Sequence, residues 1–256
     1  MPFAVYLDML LPLNVRLYSI SSSSLVSTSS EDNQERITAS LTFDVFESPT
    51  TNGHGTFRGV CSSHLSRLIS GSEVLCAVRR NKVSLQLPND PDTPIIMLSA
   101  GSGIAPMRAL IQERIALGFH KNQTHMPLFF FGCRSQQQDY LYRTELEEWA
   151  SAGAMRLIPC LSRPQGAIND DSVKGEKTPG RVHVNDKIWE MRDQLWELVQ
   201  DKGAKIYICG SAARLGRSCA ETWRNIFMAK TGLDLEKAFQ WFEGLGQRQQ
   251  YVSDLY

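Results

Sequence analysis

Residues 94–118, PIIMLSAGSGIAPMRALIQERIALG, limit the possible folds more than any other stretch of the chain. Ile95–Leu98 is an unbroken apolar run, as expected of a strand buried on both faces. Two glycines then interrupt it. From Ile104 the apolar residues return at Met107, Leu110, Ile111 and Ile115, which is helical spacing. The same alternation continues. MPLFFFGCR is a strand and YLYRTELEEWASAG a helix; AMRLIPCLSR is a strand, followed by a polar loop over 164–180. VNDKIWEMRDQLWELVQDKGA is an amphipathic helix, KIYICGS a strand and 213–230 a further helix. Strands alternating with helices predict a doubly wound α/β domain with a parallel sheet over 93–256.

Before Pro91–Pro94 the pattern differs. A short strand at 16–19 leads into the Ser-rich segment 19–33, and RITASLTFDVF (36–46) alternates as a strand does. SPTTNGHGT has turn chemistry, and a short helix at 61–69 and strands near 72–79 and 83–87 follow. Residues 1–92 are thus expected to be mainly β. The chain has 256 residues, 42% of them apolar, which suffices for two modest domains. Its 27 basic and 27 acidic side chains cancel, so neither a nucleic-acid partner nor a charged tail is indicated. No apolar run approaches the roughly 18–20 residues of a membrane span. The apolar start MPFAVYLDMLLPLNVRLYS carries Asp8 and reads as an amphipathic element rather than a signal peptide. The cysteines at 61, 76, 133, 160, 209 and 219 have no metal-ligand spacing, which suits reduced thiols in a cytoplasmic setting and no metal.

Several segments carry chemistry at strand ends. Gly101-Ser102-Gly103 opens a helix, where backbone N–H groups can receive a pyrophosphate; a plain strand-to-helix turn reads the same way. Arg134, after the second strand, suits a phosphate or a surface ion pair. Ser162, Arg163, Arg181 and His183 suit a 2′-phosphate or a solvated loop. Cys209 ends a strand, either beside a reacting ring or as a core thiol. Arg16 and Tyr18 share one strand face, which suits either a flavin or open surface.

Taken in order, these segments resemble the diflavin reductases, which supply electrons to haem-thiolate monooxygenases, sulfite reductase and nitric oxide synthase. PFAVYLDMLLPL is similar to the end of the family's connecting insert, RLYSISSS to its flavin strand and GVCSSHL to its flavin pyrophosphate loop. IIMLSAGSGIAPMRALIQER, FFGCRSQQQDYLYRTEL, LSR, YICGS and YVSDLY match in sequence and order. AGSG and CGS resemble the fused monooxygenase–reductases of fungi.

The resemblance implies that Arg16 binds the FAD pyrophosphate, Tyr18 stacks on the isoalloxazine, and the N–H groups of Gly59, Val60, Cys61 and Ser62 hold the FAD phosphates. It implies that Gly101, Ser102 and Gly103 take the NADPH pyrophosphate with help from Arg134, and that Ser162, Arg163 and Arg181 grip the 2′-phosphate. His183 stands where the family usually has Tyr, and Asn185 where it has Gln. Ser19, Cys209 and Asp254 resemble the hydride-transfer trio, and Tyr256 the terminal aromatic that covers the flavin. Electrons would pass to an FMN-bearing flavodoxin-like domain, outside this chain, and on to a haem-thiolate monooxygenase. Because the family's barrel has strands before RLYS, residues 1–92 are expected to form a partial antiparallel β-barrel. The competing readings are a truncated NADP-binding module without flavin or catalysis, and an incomplete gene product. Any membrane anchor would lie outside the chain.

Overall fold

The computed structural model describes every residue except 12, 27, 32–33, 52, 81–84 and 164–179. Most of the polar loop expected at 164–180 therefore lies outside the described residues. Helix α1 spans Phe3–Asp8, and β1 (Thr28–Glu31) pairs with β2 (Gln34–Ile37) in an antiparallel hairpin. A second hairpin joins β3 (Glu47–Pro49) to β4 (Thr56–Arg58), followed by α2 (Val60–Leu65). Next come β5 (Ile95–Ala100), a 3-10 turn (Gly101–Gly103), α3 (Ile104–Ala116), β6 (Leu128–Cys133), α4 (Arg143–Ser151) and β7 (Arg156–Leu161). The chain ends with α5 (Val184–Glu190), α6 (Arg192–Gln200), β8 (Lys205–Gly210), a π-helical turn (Ala212–Gly216), α7 (Arg217–Thr231), α8 (Leu235–Gln247) and β9 (Tyr251–Leu255). Met1–Ser19 with Phe43–Cys76 form one compact unit, and Ile20–Thr42 with Ala77–Tyr256 form a second.

The second unit is built on a parallel sheet of strand order β7-β6-β5-β8-β9. Alternate residues of each strand serve opposite faces, so one run of apolar residues supplies two cores. Ile96, Leu98, Phe130, Ile206 and Ile208 pack with Val184, Ile188, Leu195, Trp223 and Ile226 of α5, α6 and α7. Met97, Phe129, Phe131, Tyr207 and Val252 pack with Ile104, Met107, Leu110 and Leu146 of α3 and α4. Each large side chain buried this way stabilises the fold by about 1.5–3 kcal/mol. The order reverses at β5: the chain leaves it towards β6 and β7, then returns to β8 on its other edge. Ligands of such sheets bind beyond the strand C-termini at this switch point.

The expected barrel strands are largely absent among the described residues of the first unit. Only a small antiparallel pairing, β3–β4, is formed there. Residues 72–79 form no strand, and Leu75 and Val78 are exposed. A strand exists only with a neighbouring strand to take its N–H and C=O groups, and among the described residues no strand pairs with 72–79. Of the strand expected over 36–46, residues 36–37 join β2, while Leu41 makes an isolated antiparallel bridge with Ile20. Residues 16–19 lie outside any strand, and 83–84 fall outside the described residues. The helix expected over 184–204 divides at Met191, which leaves helical dihedrals (φ −94°, ψ 13°). Among the described residues no helix is long and apolar enough to cross a membrane.

Candidate functional site

The 3-10 turn after β5 brings the start of α3 to the switch point. Gly101 has φ 55°, the left-handed region where a Cβ is strained. Gly103 is needed for a different reason. A Cβ there would lie 2.6 Å from the Cys209 carbonyl carbon and 2.9 Å from Gly210 Cα. The turn thus sits directly on the end of β8, a closeness only glycine permits. No side chain caps the Gly101–Gly103 turn or α3, and the Ile104 N–H is taken within that turn, so the turn's own N–H groups and the positive end of the helix dipole stand at the strand ends.

On β8, Cys209 is 1% exposed and packs in the α3-side core. Burial, reinforced by the negative charge of Asp254, pushes its thiol up to about 12. It is therefore a neutral sulfur with no nucleophilic character. Asp254 is its cross-strand partner on β9. Beyond β9, the Tyr256 N–H donates to the Gly210 carbonyl at 3.1 Å, and the Ala212 N–H donates to the Tyr256 carbonyl at 2.9 Å. The Tyr256 ring remains largely exposed, and its hydroxyl is 2.8 Å from the Ser102 hydroxyl.

At the β6–β7 edge the strands continue side by side past their ends. Ser162 N–H donates to the Cys133 carbonyl at 2.9 Å, and its hydroxyl reaches the same oxygen at 3.3 Å. Arg163 N–H donates to the Arg134 carbonyl at 2.7 Å, and Val182 N–H to the Leu161 carbonyl at 2.8 Å. Arg134, Ser162, Arg163 and the Arg181–Asn185 segment therefore meet at one corner. Arg181 Nε donates to His183 Nε2 at 2.8 Å. Burial, then the Arg181 charge, lowers the His183 pKa against the opposing pull of Asp186, so the imidazole is neutral and can accept that bond. Asp186 also accepts the His183 N–H at 2.8 Å and an Asn185 amide N–H at 3.3 Å.

In the first unit, Tyr18 packs edge-on to Phe43 with ring centroids 5.5 Å apart. Burial, then a hydrogen bond with the Cys61 side chain, pushes its phenol up to about 12. RLYS and GVCSSHL are thereby joined. Arg16 is exposed and bonds the Asn14 carbonyl at 2.6 Å. The Gly59 N–H is taken by the Phe46 carbonyl at 2.8 Å, which leaves Val60, Cys61 and Ser62 as the remaining backbone donors proposed for that turn. Ser19 belongs to this first unit, whereas Cys209, Asp254 and Tyr256 belong to the second.

Residues 97–220 match the oxidoreductase NAD-binding domain family. The chain is 37% identical over 243 residues to a self-sufficient cytochrome P450 monooxygenase of Phanerodontia chrysosporium, covering 94% of this chain and 21% of the relative. It is 32% identical to a bifunctional cytochrome P450/NADPH–P450 reductase of Bacillus subtilis, covering 100% of this chain and 22% of the relative. With the flavoprotein alpha-component of a Shewanella NADPH-dependent sulfite reductase it shares 33% identity, over 97% of this chain and 37% of that protein. The chain belongs to the diflavin reductase family. It spans about a fifth of the length of the first two relatives.

Two features of this diflavin reductase segment were not legible as site residues. Asp139 closes the turn after β6 by accepting the N–H groups of Arg134 and Ser135 at 2.7 and 3.0 Å. Arg108 of α3 donates to the Ser21 carbonyl at 2.6 Å and to Glu145 at 2.9 Å, and lies 4.4 Å over the Tyr142 ring. Tyr142 has φ 54° and is held by a 2.7 Å bond to the Thr42 hydroxyl. Both features join residues far apart in sequence or set backbone shape, and local spacing carries neither signal.

Proposed function

We propose that this chain binds NADPH at the C-terminal ends of its parallel sheet and aligns it for hydride transfer to FAD in an NADPH-dependent reductase. The observation that carries the reading is the convergence of two anion-seeking features on one sheet edge: the glycine turn at the start of α3, and the Arg134–Ser162–Arg163–Arg181 corner. Their donors suit the pyrophosphate and 2′-phosphate of NADPH. Gly101, Ser102 and Gly103 receive the pyrophosphate, with Arg134 beside them. Ser162, Arg163 and Arg181 hold the 2′-phosphate, while His183 orients Arg181 and Asn185 supplies an amide. Bound FAD would accept hydride and release single electrons. Towards it, Arg16 and the N–H groups of Val60, Cys61 and Ser62 offer anion donors, and Tyr18 offers a flat ring. Cys209 and Asp254 of the second unit flank the nicotinamide: the neutral Cys209 thiol packs without attacking, and Asp254 offsets developing positive charge. Ser19, in the first unit, serves the flavin. Tyr256 is the aromatic cover.

The proposed division assigns FAD to residues 1–92, as part of an antiparallel barrel, and NADP to residues 93–256, with which 20–42 and 77–92 group in one compact unit. The proposed acceptors are an FMN domain on a separate or adjoining segment and a haem-thiolate monooxygenase, in the cytoplasm. A second reading, an NADP-binding module without flavin, is favoured by one observation: Leu11, Leu13, Leu17, Ile69, Leu75 and Val78 of the first 92 residues are exposed. An absorption spectrum of the purified chain, desalted after incubation with FAD and then mixed with NADPH, separates the two. A retained flavin band that bleaches supports the reductase. A colourless protein that still binds NADP⁺ leaves the module. A protein that binds neither overturns both.

A further inference from the structure

The turn between β6 and α4 is organised by one carboxylate. Asp139 Oδ1 accepts two backbone N–H groups, from Arg134 at 2.7 Å and Ser135 at 3.0 Å. Its Oδ2 lies 3.9 Å from Arg134 Nε, whose side chain is 63% exposed. The Arg134 carbonyl in turn accepts the Arg163 N–H at 2.7 Å. Arg134 is thus fixed at its N–H by Asp139, and its carbonyl fixes the backbone from which Arg163 projects. On the opposite side of the same junction, the Cys133 carbonyl takes both the N–H and the hydroxyl of Ser162.

We infer that Asp139 is a positioning residue for 2′-phosphate recognition, acting through Arg134 on the placement of Arg163, and so setting preference for NADP⁺ over NAD⁺. The inference rests on the NADPH reading above. The physical ground is that a charged hydrogen bond weakens steeply as its geometry is lost, so a donor backbone free to shift by a fraction of an ångström loses much of its advantage. A residue that only caps a turn would change stability and leave selectivity alone.

The test is calorimetric titration of the whole chain with 2′-AMP, NADP⁺ and NAD⁺. Asp139→Ala is expected to weaken 2′-AMP and NADP⁺ about tenfold, on the order of one charge-assisted hydrogen bond, and NAD⁺ less than about twofold. Asp139→Asn keeps an oxygen for both N–H groups and is expected to bind 2′-AMP within about threefold of the wild type. In an Arg163→Ala background, Asp139→Ala is expected to change NADP⁺ affinity less than about twofold, because the two residues act along one path. Equal losses for NADP⁺ and NAD⁺, an asparagine variant as impaired as alanine, or full additivity with Arg163→Ala each overturn the inference. Should the alanine variant not fold, Asp139→Glu, which shifts the carboxylate by one methylene, must show the same selective loss. A wild-type chain that binds neither 2′-AMP nor NADP⁺ overturns the nucleotide reading, and this inference with it.

Discussion

Two glycines two positions apart in the turn between β5 and α3 do different work, and substitution separates them. At Gly101 a Cβ meets nothing within 4 Å, but φ is +55°. Gly101→Ala is expected to cost about 1 kcal/mol through left-handed strain alone. At Gly103 the obstacle is the backbone of Cys209 and Gly210, which cannot swing aside as a side chain could. Gly103→Ala is expected to cost about 3 kcal/mol, at the upper end of overpacking penalties. Urea denaturation of both variants checks the ranking; equal midpoints would mean the turn moves off β8 at little cost. The cysteines sort by the same reasoning. Cys76 is exposed, while Cys209 is buried and its thiol lies near 12. At pH 8 iodoacetamide should label Cys76 within minutes and Cys209 only after unfolding, as read by mass spectrometry. Rapid native labelling of Cys209 would mean that the end of β8 opens.

At the scale of elements, β9 closes the sheet and carries Tyr256 to the glycine turn before α3. Both backbone polar groups of Tyr256 are hydrogen-bonded, to Gly210 and Ala212, so the ring can leave Ser102 only by side-chain rotation. If Ser102 takes the pyrophosphate, nucleotide and phenol compete for one hydroxyl. Tyr256→Phe keeps the ring and removes the competitor. NADP⁺ affinity is expected to rise about two- to fourfold, consistent with the modest net worth of an exposed hydrogen bond, with 2′-AMP unchanged. An equal rise for both ligands would place the effect elsewhere. What the sequence made legible follows from how each element is stabilised. β5, β6 and β8 are buried on both faces, so their apolar runs stand out locally, and the edge strand β7 still buries Ile158 and Cys160 on one face. The strands expected at 36–46 and 72–79 depend on neighbours that a local pattern cannot supply. Helix α8 was missed because Gly244 and Gly246 interrupt its pattern. It forms because Asp234 accepts the Lys237 N–H at 2.9 Å and Ala238 and Leu245 bury on one stripe. The strand-end arginines were readable because sheet topology brings strand ends together. Asp139 was not, because its role is to shape backbone.

At the scale of the whole chain, the second unit includes residues 20–42, well before the Pro91–Pro94 boundary that composition suggests. The reason is local chemistry. Arg108 donates to the Ser21 carbonyl at 2.6 Å, Gln112 accepts the Ser23 N–H at 3.0 Å, and the Tyr142 hydroxyl bonds Thr42 at 2.7 Å. Arg108, Gln112 and Tyr142 belong to or flank α3 and α4, on the α3 side of the sheet, whereas the nucleotide donors proposed above lie at its strand ends. The two roles should therefore separate in a fragment. Residues 85–256 retain both apolar clusters and the Tyr207 hydroxyl bond to the Gln86 carbonyl at 2.6 Å. Without 20–42 the Arg108 guanidinium keeps Glu145 but loses its carbonyl partner, and the fragment is expected to be about 1–3 kcal/mol less stable than the same unit in the full chain. Its 2′-AMP affinity should stay within about twofold, because Arg134, Ser162, Arg163 and Arg181 are all retained. Urea melts paired with calorimetry read both quantities on one preparation. A stable fragment with weakened 2′-AMP binding would mean that residues 20–42 shape the phosphate corner across the sheet. An unfolded fragment would mean that this serine-rich segment is an integral part of the second unit, which begins at Ile20, 75 residues before its first parallel strand at Ile95.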